Sequence, residues 1–79
     1  MESNEFDYEE LRKKSEHFAV KHYKDSLYRG ELHERKRHGK GVIVYTTDRV
    51  YEGEWHLDKR HGRGYERFNN GNAYQGEYN

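Results

Sequence analysis

The chain repeats itself at an interval of 23 residues. Tyr28, Tyr51 and Tyr74 are each followed by a glycine two positions on and a glutamate three positions on. The stretch YEGEWHLDKRHGRG, which starts at Tyr51, is a near copy of YRGELHERKRHGKG, which starts at Tyr28. Repetition at a short fixed period indicates one supersecondary unit whose copies stack on one another.

Each unit has the pattern of a β-hairpin. The segments VYEGEW and HGRGYERF alternate in character as strands do, and residues 57–60 (LDKR) form a four-residue polar connection suited to a hairpin. We therefore expect the two strands to face each other with His56 opposite His61. The cross-strand pairs predicted from this register are Trp55–Gly62, Glu54–Arg63 and Gly53–Gly64 in one unit, and Leu32–Gly39 and Glu31–Lys40 in the other.

This register explains the unusual composition, in which only 30% of residues are hydrophobic but 15% are aromatic. On one face, aromatic rings can lie over glycines that have no side chain in the way, since glycine in a strand often marks close approach by another group. The opposite face carries the predicted pairs of opposite charge. A single hairpin is marginal, so the units must stack to be stable. The glycines that define the repeat are Gly30, Gly39, Gly41, Gly53, Gly62, Gly64 and Gly76.

Residues 1–27 precede the repeats. The sequence of residues 5–16 predicts a charged helix, with Ser3 or Asn4 as its N-terminal cap. Residues 17–23 echo the second strand of a unit, and we expect them to form a degenerate strand that pairs with the first full hairpin.

These motifs resemble the MORN (membrane occupation and recognition nexus) repeat family. The resemblance covers residues 28–79, with full units at 28–50 and 51–73 and the start of a third at 74–79. It implies a mainly β protein: a single-layer, twisted antiparallel sheet of stacked hairpins, with a short helix before it.

Two departures from the family pattern fall in the first unit. Leu32 stands where an aromatic residue is usual, and residues 47–49 (TDR) replace the Asn-Gly turn that the second unit keeps at Asn70-Gly71. We expect the first unit to be the less ideal of the two. The third unit stops before its second strand, so we also expect the chain to be a fragment or to have its last edge completed by something else.

Charge and composition exclude several classes of function. The formal net charge is zero, so attraction of the whole molecule to nucleic acid is not expected. The chain has no cysteine, hence no disulfide framework and no thiolate metal site. Its acidic first residues lack the order of a signal peptide, and we expect a cytoplasmic protein.

Catalytic chemistry has no candidate residues. The serines lie in no nucleophile motif, and the HGKG and HGRG segments alternate within strands, whereas a phosphate loop opens a helix. We predict no enzymatic activity and no cofactor.

Two histidine pairs, His33 with His38 and His56 with His61, are predicted to face each other across the hairpins. The two pairs lie one repeat apart, which is two strands or about 9.6 Å at about 4.8 Å per strand. One zinc ion cannot draw on both pairs over that distance, so we predict polar pairs beside the turns and no metal site.

The leading hypothesis is a scaffold module that binds a protein partner, a helix or a strand, through the aromatic face. Family relatives such as radial spoke head proteins and apicomplexan cytoskeletal MORN proteins imply a cytoskeletal or ciliary assembly. The alternative for each ring is that it only holds neighbouring units together. The residues predicted to shape the binding face are Tyr28, Tyr51, Trp55, Phe68, Tyr74 and Tyr78.

The second hypothesis is peripheral attachment to acidic phospholipids, which relatives such as junctophilins and plant phosphatidylinositol phosphate kinases imply. Few charges are available, so we expect weak binding by this fragment. Self-association through open sheet edges is a third hypothesis. The predicted basic edge consists of Arg35, Lys36, Arg37, Lys59 and Arg60.

Overall fold

The computed structural model describes residues 8–78, which form a six-stranded antiparallel sheet preceded by a short helix. The strands lie side by side in chain order, each paired with the next. The predicted mainly β stack of hairpins with a short helix is confirmed. The elements are α1 (Tyr8–Lys14), β1 (Phe18–Tyr23), β2 (Ser26–His33), β3 (Lys36–Tyr45), β4 (Val50–His56), β5 (Lys59–Arg67) and β6 (Ala73–Tyr78).

The helix α1 ends at Lys14, two residues before the predicted end at residue 16, and its predicted start and cap lie outside the described residues. Two exposed ion pairs, Arg12 with Glu9 at 2.9 Å and Lys14 with Glu10 at 2.6 Å, join successive turns. Just after the helix, the hydroxyl of Ser15 donates a hydrogen bond to Oε2 of Glu31 at 2.8 Å. This bond connects the end of α1 to β2.

The predicted degenerate strand at residues 17–23 is confirmed as β1. It pairs with β2 along its whole length, with Ala19 opposite Gly30. Gly41 of β3 faces Gly53 of β4 in the same way. Strand β1 therefore takes the position that the second strand of a unit takes in the stack, and the sheet is continuous from β1 into the repeats.

The turn inside each hairpin has two residues rather than the predicted four. In the second unit Leu57 and Asp58 both have positive φ angles, 49° and 73°, and His56 pairs with Lys59 rather than with His61. Two successive positive φ angles are typical of a type I′ turn, whose twist matches that of the flanking strands. Glu34 and Arg35 adopt the same conformation in the first unit.

A bulge reconciles this tight turn with the rest of the hairpin. Gly53 lies opposite Gly64, as predicted, but Trp55 lies opposite Arg60 instead of Gly62. Strand β5 thus has two more residues than β4 between these pairs. Gly62 has a φ of 69° in this stretch, a conformation that glycine adopts without steric cost.

The first unit has the same bulge. Its Gly39 has a φ of 87°, and Leu32 faces Arg37 rather than the predicted Gly39.

Part of the register that we predicted within a unit occurs between units instead. Trp55 faces Gly39 of the preceding unit, and Glu54 faces Lys40. Likewise Tyr78 faces Gly62. The second and third units therefore each align a large aromatic residue with a glycine of the unit before.

The core lies on one face of the sheet. Tyr28, Ile43, Tyr51 and Trp55 are at most 4% exposed. A Cβ at Gly64 would lie 2.6 Å from Cε1 of Tyr51, so the tyrosine ring occupies the space of the missing side chain. The predicted packing of rings over glycines is correct at these positions.

The loops between hairpins are alike despite their different sequences. In the first loop, the backbone N–H of Tyr45 donates a hydrogen bond to the carbonyl of Arg49 at 2.8 Å. In the second loop, the backbone N–H of Phe68 donates one to the carbonyl of Asn72, also at 2.8 Å. Asp48 has a φ of 69° in the first loop, where the second has Gly71 at 93°. The departure at residues 47–49 therefore preserves the backbone path of the loop.

We expect Gly64→Ala to lower the free energy of unfolding by about 3 kcal/mol, because the methyl group overpacks a core filled by the Tyr51 ring. Chemical denaturation measures the loss. Gly71→Ala is the matched control, since Gly71 has positive φ but no atom lies within 4 Å of the position that its Cβ would take, and we expect it to cost about 1 kcal/mol. Equal losses in the two variants would contradict steric packing as the reason for Gly64.

Candidate functional site

A ladder of edge-to-face aromatic rings crosses the core face of the sheet. Neighbouring rings meet at interplanar angles of 86–87° with centroids 5.0–5.5 Å apart. Such T-shaped pairs contribute about 0.5–1.5 kcal/mol beyond the area they bury. Across the sheet the order of the rings is Tyr28, Trp55, Tyr51, Tyr78 and Tyr74.

Each tyrosine of the repeat lies along its own strand and donates its hydroxyl to a backbone carbonyl three residues on. Tyr28 binds the carbonyl of Glu31 at 2.8 Å, and Tyr51 binds that of Glu54 at 2.9 Å. Desolvation by burial raises the pKa of Tyr51 to about 12 and raises the pKa of Tyr28 as well. Both hydroxyls are therefore neutral donors at physiological pH.

The glutamate of the repeat binds the bulge of its own hairpin. Oε1 of Glu31 accepts a hydrogen bond from the backbone N–H of Lys40 at 2.8 Å, and Oε1 of Glu54 accepts from that of Arg63 at 2.9 Å. We predicted side-chain charge pairs between these same residues. The structure pairs the right residues, but the carboxylate binds the main chain, because the bulge turns that N–H toward it.

A layer of arginine side chains covers the ladder. The guanidinium of Arg37 lies 4.6 Å from the ring centroid of Trp55 and 5.0 Å from that of Tyr23. Arg60 lies 4.8 Å from the centroid of Tyr51. At these distances a cation is attracted to the ring face, so each arginine stabilises the ring below it.

Asp58 holds Arg37 in place. Its Oδ1 accepts one hydrogen bond from Nε of Arg37 at 2.6 Å and another from the backbone N–H of Arg37 at 3.0 Å. Its backbone carbonyl accepts a third hydrogen bond, from Nη2 of Arg37 at 3.0 Å. Because Asp58 lies in the turn of the second unit and Arg37 in the first, these bonds link the two hairpins. Partial burial opposes ionisation of Asp58, but the bonds from Arg37 outweigh it and lower the pKa of Asp58.

Glu66 holds Arg49 and Arg60 in place. It is 3% exposed, and it accepts hydrogen bonds from Nε of Arg49 at 2.6 Å, Nη1 of Arg60 at 3.0 Å and the hydroxyl of Tyr78 at 3.0 Å. Glu66 faces Tyr51, as Ile43 does from the other side. The second unit therefore has a buried, fully engaged carboxylate where the first has an apolar side chain.

The residues predicted to shape a protein-binding face differ in how far they are exposed to solvent. Tyr28, Tyr51 and Trp55 are buried in the core, and they hold neighbouring units together. Tyr78 and Phe68 are half-buried. Tyr74, at the end of the ladder, is 45% exposed.

The residues predicted to form a basic edge also differ in solvent exposure. The side chains of Arg37 and Arg60 are only 18% and 23% exposed, because they turn inward over the aromatic rings. Arg35, Lys36 and Lys59 are exposed at the turns. The basic edge thus contains three of its five predicted members.

Asp58 and Glu66 were missed by our predictions, and only a weak signal in the sequence points to them. Each is among the positions where the two units differ in charge or polarity, Asp58 against Arg35 and Glu66 against Ile43. A comparison of the two units residue by residue points to these positions, but not to the partners that they bind.

The predicted separation of the histidine pairs is wrong. His38 and His56 lie on adjacent strands, and their ring centroids are 5.1 Å apart. The prediction measured the distance between equivalent residues, whereas the inner residue of each pair faces the neighbouring unit. Within residues 8–78, no group of three or more His, Asp or Glu side chains is placed to hold a metal ion.

The opposite face of the sheet carries a shallow apolar cavity of about 670 Å³. Leu27, Val42 and Val44 line it together with Arg29 and Glu52. Desolvation raises the pKa of Glu52, although Arg67 opposes the shift. This face is separate from the aromatic ladder.

Within residues 8–78, no helix has the length and apolarity needed to cross a lipid bilayer.

A sheet built from near-identical hairpins, in which each unit packs mainly on its neighbours, defines a repeat protein. The family model for the MORN repeat matches residues 28–48 and 51–73, more than half of the chain. The chain therefore belongs to the MORN repeat family, whose members serve as modules for interaction with proteins or membranes. No curated protein matches the chain at a significant level.

We expect Asp58→Asn to lower the free energy of unfolding at pH 7 by about 1 kcal/mol, a value limited by the exposure of this ion pair to solvent. The folded-state pKa of Asp58 is depressed, so its contribution is complete above the ordinary value of 3.8 and is lost as pH falls through the folded value. Denaturation curves at pH 7 and pH 2.5 should therefore show a smaller difference between variant and wild type at the lower pH.

The control is Asp48→Asn, which removes an exposed carboxylate from a loop. A pH-independent deficit in Asp58→Asn would show that the charge of Asp58 does not carry its contribution.

Proposed function

We propose that this chain is a scaffold module that binds a protein partner through the aromatic face, at the end of the ladder formed by Tyr74 and Tyr78. One observation carries the proposal. Tyr28 and Tyr51 are fully buried, whereas Tyr74, which occupies the same place in its unit, is 45% exposed.

The difference in exposure has a simple cause. The ring of Trp55 covers Tyr28 from the following unit, and the ring of Tyr78 covers Tyr51 in the same way. Tyr74 contacts only Tyr78 of its own unit among the described aromatic residues. Its hydroxyl nonetheless donates to the carbonyl of Glu77 at 3.1 Å, as in the other units. The ring is thus held in the arrangement that an incoming aromatic side chain covers in the rest of the stack.

The chemistry of the face indicates the partner. An aromatic or large apolar side chain would meet Tyr74 edge to face, as Trp55 meets Tyr28. A strand could present this side chain while pairing with β6, and a helix could present it from above the ladder. The family resemblance supports a cytoskeletal or ciliary setting for this assembly, and the absence of cysteine is compatible with a cytoplasmic one.

A photo-crosslinking amino acid at position 74 of the full chain tests the proposal in cells. We expect a specific adduct that is absent when the crosslinker replaces Val20, which is similarly exposed but lies on the opposite face. The adduct identifies the partner by mass spectrometry, and a second copy of this chain would show that the partner is the chain itself. Identical adducts at both positions would contradict a role for the aromatic face.

Titration with the purified partner then gives the energetic test. We expect Tyr74→Ala to weaken binding at least about tenfold, equivalent to about 1.4 kcal/mol, and we expect 0.5 M salt to have little effect. Lys36→Glu is the matched control and should leave the affinity unchanged. Loss of binding in Lys36→Glu but not in Tyr74→Ala would overturn the proposal.

Contact with acidic phospholipids is the second candidate, supported by the exposure of Arg35, Lys36 and Lys59 at neighbouring turns. At about 1 kcal/mol per base near an anionic surface, and with exposed Glu34 beside them, these residues give only weak attraction. Flotation with phosphatidylserine vesicles should therefore show binding at low salt that disappears at physiological salt and in a triple charge-reversal variant of the three bases. Flotation that persists at physiological salt would place this function first.

A further inference from the structure

Four imidazole rings form a row across the sheet at its turn end. They come one each from strands β2 to β5, and adjacent centroids are 5.1–5.5 Å apart, with interplanar angles of 42–46°. Neither the core nor the aromatic ladder includes them. The row consists of His33, His38, His56 and His61.

We propose that His56 and His61 bind one divalent transition-metal ion, of the class that prefers imidazole ligands (Zn²⁺, Cu²⁺ or Ni²⁺), between their ring nitrogens. Both side chains are exposed, so an ion reaches them directly from solvent. Imidazole suits these metals, whereas Mg²⁺ and Ca²⁺ select oxygen ligands.

The distance between the two rings fits this role. A zinc–nitrogen bond is about 2.0–2.1 Å long, and a ring nitrogen lies about 1.2 Å from the ring centroid, so two imidazoles on one tetrahedral ion have centroids about 5 Å apart. The centroids of His56 and His61 are 5.3 Å apart. Because both side chains are exposed, their rings can rotate to point one nitrogen each at a shared ion.

The surroundings distinguish this pair from the pair in the first unit. Nδ1 of His38 accepts a hydrogen bond from the backbone N–H of Leu57 at 3.3 Å. A metal bound to Nε2 would require the proton to move to Nδ1, and this would break that bond. Among the side chains that the structure describes, none forms a hydrogen bond with the ring nitrogens of His56 or His61. The second hairpin therefore offers two uncommitted ligands.

The described residues supply no third ligand, so water completes the coordination sphere. The site is open and exchanges its ion readily, unlike a closed structural zinc site with four protein ligands. Two coordination positions remain available to a side chain from another molecule.

Calorimetric titration of the full chain with ZnCl₂ at pH 7.5, together with electron paramagnetic resonance of the Cu²⁺ complex, tests the proposal. We expect one ion per chain and a Cu²⁺ spectrum with couplings to two nitrogens. His56→Asn and His61→Asn should each weaken Zn²⁺ binding at least about tenfold. Binding should also weaken at pH 5, because protons compete with the metal for imidazole.

His33→Asn and His22→Asn are the matched controls, and each should change the affinity less than about twofold. Because all the substituted side chains are exposed, circular dichroism should show the same fold in every variant. Equal loss in the controls would mean unspecific binding to surface histidines, and unchanged affinity in His61→Asn would eliminate the site. Either result overturns the proposal.

Discussion

The structure depends on a tyrosine ring that lies flat along its own strand. The ring can do so because glycine stands two residues further on and another glycine stands opposite on the next strand, as at Gly53 and Gly64 beside Tyr51. The hydroxyl then reaches the carbonyl of Glu54, whose carboxylate fixes the bulge of the hairpin. One short motif thus sets the core, the strand spacing and the shape of the hairpin together. This combination of roles explains how so polar a chain folds.

Those features that depend on the repeat period and on steric fit were predictable from the sequence. The stacking of hairpins, the pairing of Gly53 with Gly64 and the degenerate strand β1 all follow from spacing and residue size. The predicted length of the turns was wrong because Leu57 and Asp58 are not the residues that usually adopt two successive positive φ angles. Because of the resulting shift in register, Trp55 faces Arg60 in its own hairpin, and the glycine that it faces is Gly39 of the preceding hairpin rather than Gly62.

The candidate site was predicted less completely for a related reason. Spacing along the chain placed the rings on one face, but it provided no measure of how neighbouring units cover one another. The inward turn of Arg37 depends on Asp58, 21 residues away, and that contact exists only once two hairpins are stacked. Glu66 is similar, because its hydrogen-bond donors come from three strands or loops. Contacts of this kind belong to the assembled sheet rather than to the repeat.

The covering of each tyrosine by the next unit gives the stack a direction. Trp55 closes over the tyrosine of the unit before it, and Tyr78 does the same for Tyr51, so a hairpin completes its predecessor rather than its successor. The covering of tyrosine rings between units therefore runs one way along the sheet. Detachment of β6 would uncover Tyr51 and release one donor to Glu66, whereas detachment of β1 would leave that part of the core intact. The two ends of the molecule are unequal in what their loss would undo.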